Sequence, residues 1–433
     1  MKNIYKSINL DRDGMLLIFF IAAILMVSFF NFINGNFLLF GDTNSYVRRC
    51  FDFVGAEAHR SIGYPLAILI FSSCNSSDFI FLHLIQILLY CLSASLFLKI
   101  CLRDAPTLQI RTTIAIHLFI FFCLPTMILW NHSALTESLN TSLYIILVIL
   151  FSTAKINFFI RNGFICLIVA YLVILKDSNF ILFILALHLM IEGWRLGGKD
   201  RIWTVFTVFL LGIVVFYNIT ESDYTMRWLV PLLNNIGKRV LTNSAAIEFF
   251  SQHGMPVTDT LLTFSDKWAD VFMRDHQHND LRSWAREGGA AGIDFTKWIM
   301  SSGKFTYALY LLSNWYEVIF STIFKIIIFP DLSGYAAQSA TLGKLFGFIN
   351  PKLFNLYFSS IMAFLILWLF WQSLKDMIFK KDYRFFTLLI TSFCMAFISL
   401  YADAMETERH VFSANLLVCF AAVRRFAENK YRL

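Results

Sequence analysis

The feature that most limits the fold of this chain is a series of apolar stretches, each about 20 residues long, that carry no charge. A helix of that length crosses the roughly 30 Å hydrocarbon core of a bilayer. Only 15% of the 433 residues are charged and 58% are apolar, whereas a soluble domain has roughly 25% charged residues. The sequence therefore predicts an all-α polytopic membrane protein.

The apolar stretches predict ten membrane-spanning helices. They are residues 15–34, 78–101, 112–130, 136–154, 159–175, 179–194, 202–219, 353–373, 384–401 and 409–425. With the N-terminus in the cytoplasm, the Lys and Arg residues of alternate connections fall on the cytoplasmic side, as the positive-inside rule expects. Basic residues lie at helix ends rather than on one face, so nucleic acid is a poor candidate partner and membrane lipids are the expected surroundings.

The segment 305–329 decides whether the chain crosses ten or eleven times. It is long enough to span, but it carries Asn314, Glu317 and Lys325. A crossing would place four later cations outside, namely Lys375, Lys380, Lys381 and Arg384. We favour an interfacial or re-entrant segment, because it keeps those cations in the cytoplasm.

This map divides the chain into three parts, which are residues 1–219, 220–352 and 353–433. The first is a seven-helix membrane module with its first outer loop at 35–77, and the last is a three-helix membrane module. The middle part faces outward and is polar as far as Lys304, so we expect a small, mostly helical extracytoplasmic subdomain. Its tryptophans either form a sugar-binding surface or, more commonly, pack a core or anchor an interface. They are Trp228, Trp268, Trp284 and Trp298.

Polar residues that could carry chemistry gather on the predicted outer side. Those singled out are Asp42, Tyr46, Arg60, Tyr64, Glu137, Lys176, Asp177, Glu406, Arg409 and His410. Ionisable groups beside membrane spans are functional candidates, because burying charge in lipid costs free energy. Asp42 is either a general base or, more ordinarily, a turn cap. The cations either hold a phosphate or pair with nearby carboxylates.

Several absences narrow the chemistry. The chain has neither a P-loop nor a Gly-rich dinucleotide fingerprint, so a substrate handled outside the membrane must arrive already activated, most simply on a lipid. No His and Cys spacing of the zinc type occurs. Of the eight cysteines, only Cys50 and Cys74 lie in the first outer loop, and the sequence leaves open whether they form a disulfide.

Five short motifs occur in a characteristic order. They are Asp42 with Tyr46, Arg60 before Gly63-Tyr64-Pro65, Thr136-Glu137, Lys176-Asp177-Ser178, and Glu406-Thr407-Glu408-Arg409-His410. In these motifs the chain resembles the GT-C superfamily of integral-membrane glycosyltransferases, which use polyprenyl-phosphate sugars. The resemblance covers the first seven helices and the last outer turn, but not 220–352. At the turn after the fifth helix, Lys176-Asp177 replaces the commonest family form, Arg-Pro.

The resemblance implies a GT-C-like bundle of about 10–11 transmembrane helices that performs an inverting sugar transfer. The donor would be a polyprenyl-phosphate sugar, and the acceptor a surface glycan or glycolipid such as lipopolysaccharide O-antigen. The active site would face the periplasm from the bacterial inner membrane. The alternatives are a flippase or transporter of lipid-linked oligosaccharide, and an O-antigen polymerase.

The resemblance also implies roles for the single residues. Asp42 would be the general base. Arg60, Lys176 and Arg409 would hold the donor phosphate, with His410 assisting. The substrate-positioning residues would be Tyr46, Tyr64, Glu137, Asp177 and Glu406. The resemblance leaves open whether the site binds a divalent metal, since a second acidic ligand is not evident near Asp42.

Overall fold

The structure is a computed structural model that describes residues 12–33, 41–51, 61–74, 79–123, 127, 136–153, 157–273, 281–327, 351–402 and 407–428. Within these ranges every regular element is helical, and no strand occurs. The predicted all-α class is confirmed at this level.

The first nine helices cover the predicted N-terminal module. They are α1 (Arg12–Ile33), α2 (Gly41–Phe51), α3 (Gly63–Ser72), α4 (Phe79–Asp104), α5 (Leu108–Phe122), α6 (Thr136–Ser152), α7 (Phe158–Leu175), α8 (Phe183–Leu196) and α9 (Gly198–Tyr224), with a 3₁₀ turn at Asp177–Leu182 before α8. The helices α2 and α3 lie inside the segment 35–77, which is predicted from the sequence as a loop.

The remaining helices are mostly short until the C-terminal module. They are α10 (Leu229–Asn235), α11 (Ser244–Gln252), α12 (Asp259–Leu262), α13 (Ala269–Phe272), α14 (Leu281–Glu287), α15 (Ile293–Trp298), α16 (Lys304–Ser313), α17 (Trp315–Ile327), α18 (Pro351–Lys375), α19 (Arg384–Ala402) and α20 (Thr407–Glu428). Single π-helical turns follow α10, α15 and α18.

Among the described residues, six helical segments are long and apolar enough to cross a membrane. They are Phe79–Asp104, Phe158–Leu175, Asp177–Leu196, Gly198–Tyr224, Ser359–Lys380 and Arg384–Ala402. Shorter apolar helices occur at Gly14–Met26, Gly63–Ser72, Leu108–Phe122 and Thr136–Ser152. Each of the six long segments overlaps a predicted span, and most of their first and last residues lie within a few residues of the predicted ones.

A single apolar core joins the helices of the bundle, with α6 at its centre. Helix α6 packs against α4, α7 and α20, and its side chains are buried along nearly its whole length. Helix α9 instead exposes large apolar side chains such as Ile202, Phe209 and Phe216. Because such side chains are stable in contact with lipid chains, α9 lies at the periphery of the bundle.

A network of buried charges closes one end of the bundle. The Arg424 guanidinium of α20 lies 2.8 Å from Asp104 at the end of α4 and donates to Ser152 at the end of α6 at 3.1 Å. Arg425 pairs with Asp376 at 2.5 Å, just after α18. We call this end, where α4, α6, α18 and α20 finish, the charged end. Arg384 at the start of α19 joins it by donating to the Ser152 carbonyl at 2.6 Å.

We call the opposite end, where α4 and α6 begin and α7 and α9 finish, the site end. Helix α18 finishes at the charged end, and its 25 residues span about 37 Å at 1.5 Å per residue. Its first residue therefore lies at the site end, where α9 also finishes. The described chain thus leaves the bundle after α9, and α17 and α18 join it again from the same side.

The described part of the segment 305–329, which ends at Ile327, forms two helices rather than one. Helices α16 and α17 are separated at Asn314, and α17 packs against α19, where Ser321 and Tyr401 share a hydrogen bond. The 13 residues of α17 measure about 20 Å, which is too short to cross the hydrocarbon core. Its exposed Tyr316 and Phe320 are the kind of side chain that contacts lipid.

The residues between α9 and α17 have an apolar core of their own, running from Leu229 to Tyr307. Trp284 is fully buried in it and donates to the Phe272 carbonyl at 3.2 Å. Trp298 is buried too and donates to the His253 carbonyl at 3.2 Å. These two tryptophans therefore pack a core, which is the more ordinary of the two roles predicted.

Trp228 and Trp268 differ from the two core tryptophans. The Lys304 ammonium lies 4.0 Å from the ring centroid of Trp228, and the Lys238 ammonium lies 4.1 Å from that of Trp268. Each ring therefore has one face covered by a cation within the protein. A sugar could stack only on the other face.

The charged end gives a stability prediction. Arg424→Met should lower the free energy of unfolding by about 3 kcal/mol, because it leaves the Asp104 carboxylate without its buried partner. Arg103→Met removes a cation that also contacts Asp104, at 3.1 Å, but is 53% exposed, so it should cost less than about 1 kcal/mol. Steric trapping in bicelles would measure both. Equal losses of stability in the two variants would contradict the assignment of Arg424 as the buried partner of Asp104.

Candidate functional site

The start of α3 lies directly against the end of α7 at the site end. The Ser61 hydroxyl donates to the Leu175 carbonyl at 2.8 Å, and the Tyr171 hydroxyl donates to the Gly63 carbonyl at 3.2 Å. A Cβ atom on Gly63 would lie 2.6 Å from the Leu175 Cα, so only glycine allows this approach. The contact brings the Gly63-Tyr64-Pro65 motif beside the Lys176-Asp177 turn.

Two of the predicted positioning residues pack together. Tyr64 is fully buried and meets Tyr46 of α2 edge-on, with ring centroids 5.1 Å apart. The Gln86 side-chain nitrogen of α4 donates to the Tyr64 hydroxyl at 3.0 Å. Asp42 precedes Tyr46 by one helical turn and therefore lies on the same face of α2.

Lys176 and Glu137 form a buried ion pair across the site end. The Lys176 Nζ lies 3.8 Å from the Glu137 Oε1, and the Thr136 hydroxyl donates to the Glu137 Oε2 at 3.3 Å. Glu137 occupies the first turn of α6, where the helix dipole favours a carboxylate. The predicted phosphate ligand is thus held beside a predicted positioning residue.

Asn179 secures the turn that carries Lys176. Its side-chain nitrogen donates to the Asn140 Oδ1 at 3.0 Å and to the Leu172 carbonyl at 2.8 Å. Its oxygen accepts from the Tyr144 hydroxyl at 2.5 Å. Because all of these groups are buried, breaking one leaves an unsatisfied polar atom. The turn is therefore fixed to α6.

Asp177 belongs to a second set of charges. It lies 3.4 Å from Arg227 and accepts from Asn218 at 3.2 Å. Arg227 also contacts Glu221 at 3.3 Å, and Glu221 pairs with the fully buried Arg49 of α2. Burial lowers the pKa of the Arg49 guanidinium, while the Glu221 carboxylate works in the opposite direction. This set ties α2 to the end of α9.

Arg227, Glu221 and Asn218 were not among the predicted site residues. A signal for them was present in the sequence, since they lie within ten residues of one another where a long apolar span ends on the predicted outer side. The ion pair between Arg227 and Asp177 matches the structural alternative given for the outer-side charges, in which cations pair with carboxylates.

Cys50 and Cys74 form a disulfide, with their Cα atoms 5.6 Å apart. It joins the end of α2 to the residues just after α3. The sequence leaves open whether these two cysteines pair, and the structure shows that they do. Together with the Tyr46–Tyr64 contact, the disulfide holds the two helices of the first outer segment to each other.

The other predicted site residues are described only in part. Asp42 lies in the first turn of α2, and Arg409 and His410 lie in the first turn of α20, but the structure describes only their backbone. Arg60 and Glu406 lie outside the described residues. Among the residues described, no group of three or more His, Cys, Asp or Glu side chains is arranged to hold a metal ion.

No protein-family model, no characterised protein and no solved structure matches this chain. Its function is therefore inferred from its own residues and their geometry.

The Arg49 contact predicts a difference between two neighbouring arginines. Arg49→Met should destabilise the folded protein by about 2 kcal/mol, because it removes a buried, charge-assisted hydrogen bond to Glu221. The adjacent Arg48 is exposed, so Arg48→Met should change stability by less than about 1 kcal/mol. Thermal unfolding in detergent, followed by tryptophan fluorescence, compares the two. A larger loss for Arg48→Met would show that α2 is oriented differently.

Proposed function

We propose that this protein is a membrane glycosyltransferase that moves a sugar from a polyprenyl-phosphate donor to a surface glycan or glycolipid. The observation that carries the proposal is that Lys176, Glu137 and the turn holding Tyr64 meet at one end of the bundle, where Lys176 pairs with Glu137 and Gly63 packs against Leu175. They come from three separate segments of the chain. The first turn of α2, with Asp42, belongs to the same end through Tyr46.

In the proposed reaction, an acceptor hydroxyl attacks the anomeric carbon of the donor sugar. Asp42 takes the hydroxyl proton as the new glycosidic bond forms, and the bond to the lipid phosphate breaks with both electrons going to the phosphate oxygen. The configuration at the anomeric carbon inverts. The leaving phosphate gains negative charge, so cations placed beforehand supply the main stabilisation. Lys176, Arg60 and Arg409, with His410, are assigned this role.

The proposed location is the bacterial inner membrane, with the site end facing the periplasm and ten crossings in all. The Cys50–Cys74 disulfide supports this orientation, because disulfides persist in oxidising compartments such as the periplasm. The charged end carries Arg384, Arg424 and Arg425, which suits a cytoplasmic face.

A flippase for lipid-linked oligosaccharide is less well supported. Such a carrier needs polar groups along a path through the bilayer centre. The middle of α6 is instead packed with buried apolar side chains, including Ile145, Leu147 and Val148. An O-antigen polymerase would share the site chemistry, but it would join whole repeat units.

The test is the mass of the surface glycan in cells that lack the protein, complemented with wild type or a variant. Wild type should restore one sugar per repeat or per acceptor. Asp42→Asn should not, because losing a general base lowers the rate by about 100- to 10,000-fold. Asp223→Asn is the matched control, since Asp223 is 60% exposed and pairs with Lys304, and it should restore the sugar.

Three outcomes would contradict the proposal. An Asp42→Asn variant that folds, inserts and still restores the sugar would remove the base assignment. Unchanged repeat mass with shortened chains would indicate a polymerase. Loss of the whole glycan from the surface would indicate a flippase.

A further inference from the structure

Two buried amide side chains at the site end each have one unsatisfied polar atom. Gln86 and Asn140 are almost completely buried. The Gln86 Oε1 and the Asn140 Nδ2 have no hydrogen-bond partner among the residues that the structure describes. A buried polar atom without a partner is costly, so a ligand that supplies the missing hydrogen bonds would bind favourably.

The hydrogen-bond network determines which atom of Asn140 is unsatisfied. Asn179 donates through its nitrogen to the Leu172 carbonyl, and a carbonyl can only accept. The same nitrogen donates to Asn140, so the Asn140 atom that it contacts must be the oxygen. The Asn140 nitrogen is therefore left over as a donor.

Gln86 supplies the complementary group. Its nitrogen donates to the Tyr64 hydroxyl, so its oxygen is left over as an acceptor. Gln86 lies about two turns inside α4 and Asn140 about one turn inside α6, and these two helices pack against each other. Tyr64 follows Gly63, whose backbone packs directly against Leu175, the residue before Lys176. The unused acceptor and the unused donor thus lie on neighbouring helices, the first beside Tyr64 and the second about one turn along α6 from Glu137.

The chemistry of the missing partner follows from this donor and acceptor set. A phosphate can only accept hydrogen bonds at its ionised oxygens, so it cannot satisfy the Gln86 Oε1. A cation cannot satisfy the Asn140 Nδ2. A hydroxyl group both donates and accepts, and a sugar ring presents several hydroxyls at adjacent carbons.

We propose that Gln86 and Asn140 bind hydroxyl groups of the donor hexose, next to a phosphate held by Lys176. This inference rests on the proposed function, and it adds the part of the site that distinguishes a sugar-bearing lipid from the bare lipid phosphate. Gln86 accepts from one hydroxyl, and Asn140 donates to the same or a neighbouring hydroxyl.

The test compares binding of two kinds of lipid to the purified protein in nanodiscs. The probes are undecaprenyl phosphate and undecaprenyl phosphate bearing glucose, galactose or mannose. Wild type should bind one of the hexosyl lipids at least about 10-fold more tightly than the bare phosphate, as expected for the loss of one or two hydrogen bonds. Gln86→Met and Asn140→Asp should each remove most of this preference and lower the affinity for undecaprenyl phosphate far less, since Asn140→Asp keeps the acceptor that holds Asn179 and the Lys176 turn.

Asn162→Leu is the matched control. Asn162 is also fully buried, and neither of its amide atoms has a hydrogen-bond partner among the described residues. It lies about one turn inside α7, at the charged end, so its replacement should change neither affinity. If Asn140→Asp does not fold, Gln86→Met tests the subsite alone.

The outcomes separate this inference from the proposed function. If wild type binds none of these lipids, the proposed function fails and the inference fails with it. If wild type binds the bare and the hexosyl lipids equally, or if the variants keep the full preference, the phosphate site stands and the sugar subsite is overturned. A bound water would then account for the two amides.

Discussion

The structure depends on the cost of placing charge in hydrocarbon. Charged side chains therefore lie at the helix ends and pair there with partners from distant parts of the chain. At the charged end, Arg424 joins the ends of α4 and α6. At the site end, Glu221 joins α2 to the α9–α10 connection through Arg49 and Arg227. Because each pair is buried, the same contacts that stabilise the bundle also determine which helix ends meet.

The site end adds close backbone packing to this pairing. Gly63 lets α3 lie against the end of α7, and Asn179 fixes the following turn to α6. Lys176 is thereby placed beside Glu137 and next to the backbone segment that carries Tyr64, both of which are far from it in sequence. An enzyme gains from such prior placement, because its charges need not reorganise when the substrate reacts. The proposed sugar contacts of Gln86 and Asn140 use the same helices.

The positions of the long helices could be predicted because about 20 apolar residues in a row have few other stable structures. The helices α2 and α3 could not be predicted from the sequence, since α2 is polar and short helices depend on tertiary contacts. Likewise, the motif order brought Tyr64, Glu137 and Lys176 into one predicted set, and the structure places them together. The contacts of Arg227 and Asn179 could not be predicted, because they depend on which ends meet in space. The placement of 305–329 was also ambiguous, since α17 is apolar but only about two thirds of the required length.

The central claim is that the site end binds a polyprenyl phosphate through Lys176. Native mass spectrometry of the protein released from its own membranes would test it directly, with Lys176→Met beside the wild type and Lys304→Met as a control, since Lys304 is 48% exposed and pairs with Asp223. We expect wild type and Lys304→Met to retain a polyprenyl phosphate or its sugar conjugate, and Lys176→Met to retain about tenfold less, the loss expected for one charge-assisted contact. Equal retention by all three proteins, or a wild type that carries phospholipid but no polyprenyl phosphate, would contradict the claim.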